Sequence, residues 1–165
     1  MKIIISRPEE VDTIHLDHFE KLVCKHSKIH LDGLRDRIEE AELLSLAIKD
    51  EEIIAIRAIK RPGRCYVREI FMKGNLLHFY SQFRYETGWS VTLPEFRCQG
   101  LSGMLLKKLL KMVDNNVYST TRISNIAPQK VLTNNGFVRY GQDFAGREEP
   151  LCVWLYLRYG GVPWH

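Results

Sequence analysis

Between Leu93 and Leu110 the chain reads LPEFRCQGLSGMLLKKLL, which leaves a strand and enters an amphipathic helix. The turn between them holds Arg97, Gln99, Gly100, Ser102 and Gly103, residues with little bulk except for the arginine at its edge. A helix N-terminus presents N–H groups that have no intrahelical partner, together with the positive end of the macrodipole. If the loop before it curls so that its own N–H groups converge, the result is a nest for phosphate oxygens. Small residues let the ligand approach, and a guanidinium suits phosphate geometry. A tight strand-to-helix turn with no ligand uses the same glycines and serines, so composition alone supports both readings. The segment is neither a P-loop, since no Gly-Lys-Ser/Thr follows, nor G-x-G-x-x-G. A nucleoside triphosphatase and a Rossmann dehydrogenase are therefore disfavoured.

Other residues with chemical potential give weaker signals. His15/His18 and His26/His30 have i,i+3 and i,i+4 spacings that can bind metal on a helix. No third ligand accompanies either pair at a suitable spacing, so no metal is expected. Cys24, Cys65, Cys98 and Cys152 lack CxxC spacing. They read as reduced thiols of a cytosolic protein.

The elements that position the turn follow from periodicity. KIII is a first strand, and Ser6 with Glu9 has capping-box spacing before a helix reaching about residue 25. A shorter helix fits residues 31–40. LLSLAIKD and EIIAIRAIK form a hairpin joined at Asp50-Glu51-Glu52, stopped by Pro62-Gly63. ETGWSVTL is a strand ending at Pro94. Leu101, Leu105, Leu109 and Met112, flanked by Leu106, Leu110 and Val113, make one apolar helix face. VYSTTRI is the next strand, a short helix covers about Pro128 to Asn134 with Gly136 as its stop, and FVRYGQDF and LCVWLYLR pair antiparallel. The strands meander first and alternate with helices later. This order predicts an α/β (α+β) fold with a mixed sheet and helices on both faces.

GWSVTLPEFRCQGLSGMLLKKLL resembles motif A of the GNAT superfamily, the acyl-CoA-dependent N-acyltransferases: a strand, a proline, then R/Q-x-x-G-x-G/A opening a helix. Pro94, Arg97, Gly100 and Ser102 fall on its positions, with Ser102 in place of the usual glycine or alanine. NIAPQKVLTNNGF resembles a later segment of the family, with Asn125 and Gly136-Phe137 at the expected spacing. The residue-level match covers about residues 86–137, and residues 1–85 match in element order. The resemblance implies one GNAT-like domain over 1–165, with a mostly antiparallel sheet of about six to seven strands. It implies acetyl-CoA as cosubstrate, its diphosphate cradled by N–H groups of Cys98, Gln99, Gly100, Leu101, Ser102 and Gly103. Arg97 and Asn125 join that binding set. It also implies a bulge that splays the strand before the cradle from its neighbour, with Thr92 pairing to pantetheine through its main chain.

Acylation of an amine by a thioester needs a neutral amine, donors for the oxyanion and a proton for the leaving thiolate. An amine of pKa about 10.4 is neutral about once in 10³ at pH 7, a penalty of roughly 4 kcal/mol. A general base offsets part of it, and holding the reactants together contributes much of the rest. The family often places a carboxylate on the central strand, which implies Glu86 as the base; a solvated strand-end residue is the other reading. A tyrosine often precedes Gly-Phe by four residues, and here that position is Leu132. The acid is therefore unassigned among water, Thr133 and a tyrosine such as Tyr140.

Residues 64–85 contain Tyr66, Phe71, Phe79, Tyr80, Phe83 and Tyr85, six of the fourteen Phe and Tyr residues in the chain. They form either a wall over the acceptor side or a helix packed on the sheet.

Hydrophobic residues make up 45% and charged residues 27% of the 165 residues, an ordinary balance for a folded chain. No window approaches ~18 apolar residues, and MKIII is too short for a signal peptide's core, so a cytoplasmic location with no membrane partner is expected. The net charge of +4 permits a nucleic-acid partner without demanding one. The leading expectation is an N-acetyltransferase acting on a small-molecule or peptide amine, as a monomer or homodimer. The alternatives are a non-catalytic acyl-CoA-binding regulator, prompted by Leu132, and an acetyltransferase acting on RNA, prompted by the charge and by LLKKLLK.

Overall fold

The seven strand-like runs of the sequence become strands in the computed structural model, which describes residues 1–160; residues 161–165, the end of the expected domain, lie outside the described residues. The strands are β1 (Lys2–Ser6), β2 (Leu43–Lys49), β3 (Glu52–Lys60), β4 (Tyr85–Thr92), β5 (Val117–Arg122), β6 (Val138–Phe144) and β7 (Leu151–Tyr156). The helices are α1 (Thr13–His26), α2 (Leu34–Glu39), α3 (Arg64–Lys73), α4 (Leu101–Met112) and α5 (Ile126–Asn134). Seven strands follow the order β1-β2-β3-β4-β5-β7-β6. The β1/β2, β2/β3, β5/β7 and β6/β7 pairs are antiparallel, and β4/β5 is parallel. The sheet is mixed, as the element order predicts, and mostly antiparallel with seven strands, as the resemblance implies.

The chain divides into two compact units: Met1–Arg61 with Thr87–Val113, and Pro62–Glu86 with the chain from Asp114 onward. In the first, the β2–β3 hairpin closes through Asp50 and Glu51, at φ 50° and 67°. Two successive left-handed residues match the right-handed strand twist. The pleat then sorts side chains. Leu44, Leu46, Ile56 and Ala58 pack with Leu16, Phe19 and Val23 of α1. Ala47 and Ala55 pack with Leu101 and Leu105 of α4. Helices thus cover both faces of this part of the sheet.

Two local expectations are corrected here. Ser6 and Glu9 do not cap α1: Pro8–Glu10 is a 3-10 turn, in which Arg7 N donates to Glu10 Oε2 at 3.2 Å. The helix begins after Asp12, whose carboxylate accepts from His15 N at 3.0 Å. Aspartate satisfies an orphan N–H there just as serine would have done. Met112 is 57% exposed, and the buried face of α4 is Leu101, Leu105, Leu106, Leu109 and Leu110.

In the second unit, residues 64–85 form α3 and a 3-10 turn at Leu77–Gln82. Phe71, Phe79 and Phe83 are core residues beside Tyr118, Val153 and Leu155. With Tyr80, which packs against the same cluster, four of the six aromatics serve packing, whereas Tyr66 is 44% exposed. α5 starts at Ile126, ahead of the expected Pro128. A proline in the first turn has no intrahelical bond to lose.

Candidate functional site

The turn into α4 is built by left-handed backbone. Cys98 lies at φ 60° and Gly100 at φ 76°. Gly100 is the N-cap, and a Cβ built on it meets nothing within 4 Å. Glycine is therefore required by the backbone, not by crowding, and the space above it is open. The first α-helical bond of α4 runs from Met104 N to Gly100 O at 3.0 Å. The N–H groups of Leu101, Ser102 and Gly103 stand ahead of that ladder. The Leu101 side chain, 6% exposed, anchors this turn in the core.

Around the loop, Arg97 Nε donates to Thr92 O at 3.1 Å, and Gln99 Nε2 donates to Glu95 O at 3.3 Å. The Arg97 side chain is exposed and its guanidinium has further donors beyond Nε. Thr92, the residue expected to pair with pantetheine through its main chain, has its carbonyl oxygen engaged by Arg97.

β4 carries a bulge. In a regular strand Thr87 and Ser90 would face opposite sides. Both instead meet one guanidinium: Arg57 Nη1 donates to Thr87 Oγ1 at 3.2 Å and Nη2 to Ser90 Oγ at 3.0 Å. Trp89, at φ 48°, is the residue that shifts the alternation. Arg57 Nη2 also donates to Ser102 Oγ at 3.0 Å, and Ser102 lies 3.0 Å from Ser90 Oγ. The hydroxyl at Ser102, where the motif usually has glycine or alanine, is thus used.

In the second unit, Glu86 is 4% exposed, so it is not a solvated strand-end residue. It pairs in register with Tyr118, and the β4/β5 ladder consists of Tyr85↔Val117 and Glu86↔Tyr118. Burial pushes the Tyr118 hydroxyl well above the usual phenol range, and the adjacent Glu86 charge pushes it further the same way. Tyr118 is a neutral hydroxyl at any physiological pH. Neither Arg57 nor Tyr118 stands in a sequence motif; the fold alone places Arg57 against Ser102 and Tyr118 against Glu86.

No family model matches the sequence, and no curated protein matches it significantly. Solved structures do. An acyl-CoA N-acyltransferase from Pseudomonas aeruginosa is similar at TM-score 0.65 and 15% identity, over 93% of this chain and 97% of that one. A GNAT-family acetyltransferase from Bacillus cereus is similar at TM-score 0.65 and 16% identity, over 96% and 99%. The yncA protein from Salmonella typhimurium, solved with its cofactor acetyl-CoA, is similar at TM-score 0.63 and 11% identity, over 100% and 98%.

The chain has the GNAT fold.

Within that fold the sequence-predicted residues separate into two groups. Thr92, Arg97, Cys98, Gln99, Gly100, Leu101, Ser102 and Gly103 share the first unit: Thr92 ends β4, and the others form the turn into α4 and its first residues. Glu86 and Asn125 belong to the second. Asn125 is the exposed N-cap of α5, its N–H donating to Arg122 O at 3.1 Å and its side chain making no cap bond. Leu132, where GNAT proteins often carry tyrosine, is 2% exposed and a core residue. Thr133 Oγ1 donates to Gln129 O at 3.0 Å. No group of three or more His, Cys, Asp or Glu that could hold a metal occurs among the described residues, and no helix among them is long and apolar enough to cross a membrane.

Proposed function

We propose that residues 1–165 form a single GNAT-like domain that acts as an acetyl-CoA-dependent N-acetyltransferase in the cytoplasm. The acceptor is a primary amine of a small molecule or peptide, and transfer is by direct attack in a ternary complex. The observation that carries this reading is the open, left-handed turn from Cys98 to Gly100 at the mouth of α4, on a GNAT fold. N–H groups from Cys98 to Gly103 bind the diphosphate, Arg97 adds charge, and the bulged strand around Thr92 lies along pantetheine.

The amine nitrogen attacks the thioester carbonyl carbon, and its proton passes through water to Glu86. The tetrahedral intermediate collapses with cleavage of the C–S bond, giving the amide and coenzyme A thiolate. A thiol of pKa about 8.5 leaves readily and can take its proton from water. This fits the core role of Leu132 and the internal hydrogen bond of Thr133.

Thiol release from acetyl-CoA across a panel of amines tests the proposal. Turnover with at least one amine is expected, and Glu86→Gln lowers kcat about 10² to 10⁴-fold with little change in KM for acetyl-CoA. Coenzyme A binding without turnover on any amine supports the second reading, a non-catalytic acyl-CoA-binding regulator, which Leu132 favours. The RNA reading predicts nucleic-acid affinity that falls steeply with salt; a flat dependence removes it.

A further inference from the structure

Arg57 is the one charged residue in the core of β3, within the run EIIAIRAIK. It is 4% exposed, and among the described residues its side-chain partners are the hydroxyls of Thr87, Ser90 and Ser102 alone. Its Nε is buried with no hydrogen-bond partner. Burial alone pulls the guanidinium down to about 10, and no carboxylate opposes that. The group is still charged at pH 7. A buried cation without a counter-charge is costly, and exchanging it for an apolar side chain of similar volume is often stabilising. The hydroxyls do not depend on it: Ser90 and Ser102 lie 3.0 Å apart, and Thr87 Oγ1 donates to Ala58 O at 3.2 Å. Structural need alone therefore does not account for the charge.

Its location does. Nη2 contacts Ser102 in the first turn of α4, within one residue of the N–H groups of Leu101 and Gly103. Nη2 also reaches Ser90, an exposed residue turned onto this face by the bulge at Trp89. We propose that Arg57 is a positioning residue for anion binding: a buried positive charge beneath the turn that strengthens its grip on the diphosphate of coenzyme A and fixes the Ser90–Ser102 hydroxyl pair at its rim. Diphosphate would supply the counter-charge that the hydroxyl partners of Arg57 do not. This rests on the coenzyme A reading above and adds the residue that supplies charge from below.

The test is calorimetric titration of the wild type, Arg57→Lys, Arg57→Gln and Arg57→Met with coenzyme A and with inorganic diphosphate, alongside melting curves. Arg57→Gln and Arg57→Met are expected to weaken both ligands tenfold or more, and Arg57→Lys to stay within about threefold of wild type. Unliganded Arg57→Met should melt no lower than wild type, which a purely structural arginine would not allow. Should Arg57→Met not fold, the Gln and Lys pair decides. Equal losses in Gln and Lys, or affinity within twofold of wild type in Gln, would overturn the proposal while leaving the coenzyme A reading intact. A wild type that binds neither ligand removes both.

Discussion

Two strands of this protein run into helices, β4 into α4 and β5 into α5, and the two junctions are made differently. The first has left-handed residues at Cys98 and Gly100, a helix with five buried leucines, and a first turn tied to a buried arginine through Ser102. The second has Asn125 at its start, exposed Ile126 and Ala127 in its first turn, and Leu132 as its buried residue. Any helix N-terminus offers orphan N–H groups. The difference lies in what stands behind them: at α4 a rigid apolar anchor and a buried positive charge, at α5 neither. On the proposed reading, the N-terminus that binds an anion is the one backed by buried leucines and a buried arginine.

The sharpest way to break this comparison is to load the first junction. Arg97→Ala combined with Gly100→Asp puts bulk and negative charge against the proposed diphosphate site, and aspartate at φ 76° is also strained. Coenzyme A affinity should fall at least 100-fold by calorimetry in a variant whose circular dichroism is unchanged. Asn125→Ala should lower it less than tenfold. Equal losses at both sites would erase the distinction drawn here.

The anchoring half of the comparison is a matter of stability. Leu105 is fully buried between α4 and the sheet, whereas Ile126 is 55% exposed. Leu105→Ala should cost about 2–5 kcal/mol in urea denaturation. Ile126→Ala should stay within about 0.5 kcal/mol. A small loss at Leu105 would mean that α4 is not held as rigidly as its packing indicates.

How much of this was legible in the sequence follows from the range of the contacts. The strands announce themselves as apolar runs, and the tight turn into α4 as Gly100 and Ser102 before a leucine-rich helix, because both are local patterns. The Ser6/Glu9 cap was misread because Asp12 offers an equivalent side chain six residues on, and spacing cannot choose between them. The segment 64–85 was ambiguous because aromatics pack a core as readily as they line a pocket; the contacts of Phe71, Phe79 and Phe83 decide that. Arg57 interrupts an apolar strand, which is a signal, but its meaning lies in partners 30, 33 and 45 residues away. The burial of Glu86 is likewise a tertiary property, since the strand start on which it stands reads as solvent-facing.

The most direct measurement of the central claim is a crystal structure of the protein with coenzyme A. Diphosphate oxygens are expected within hydrogen-bond distance of the N–H groups between Cys98 and Gly103, with Ser90 and Ser102 still joined to Arg57. A diphosphate seated away from the mouth of α4 would contradict it.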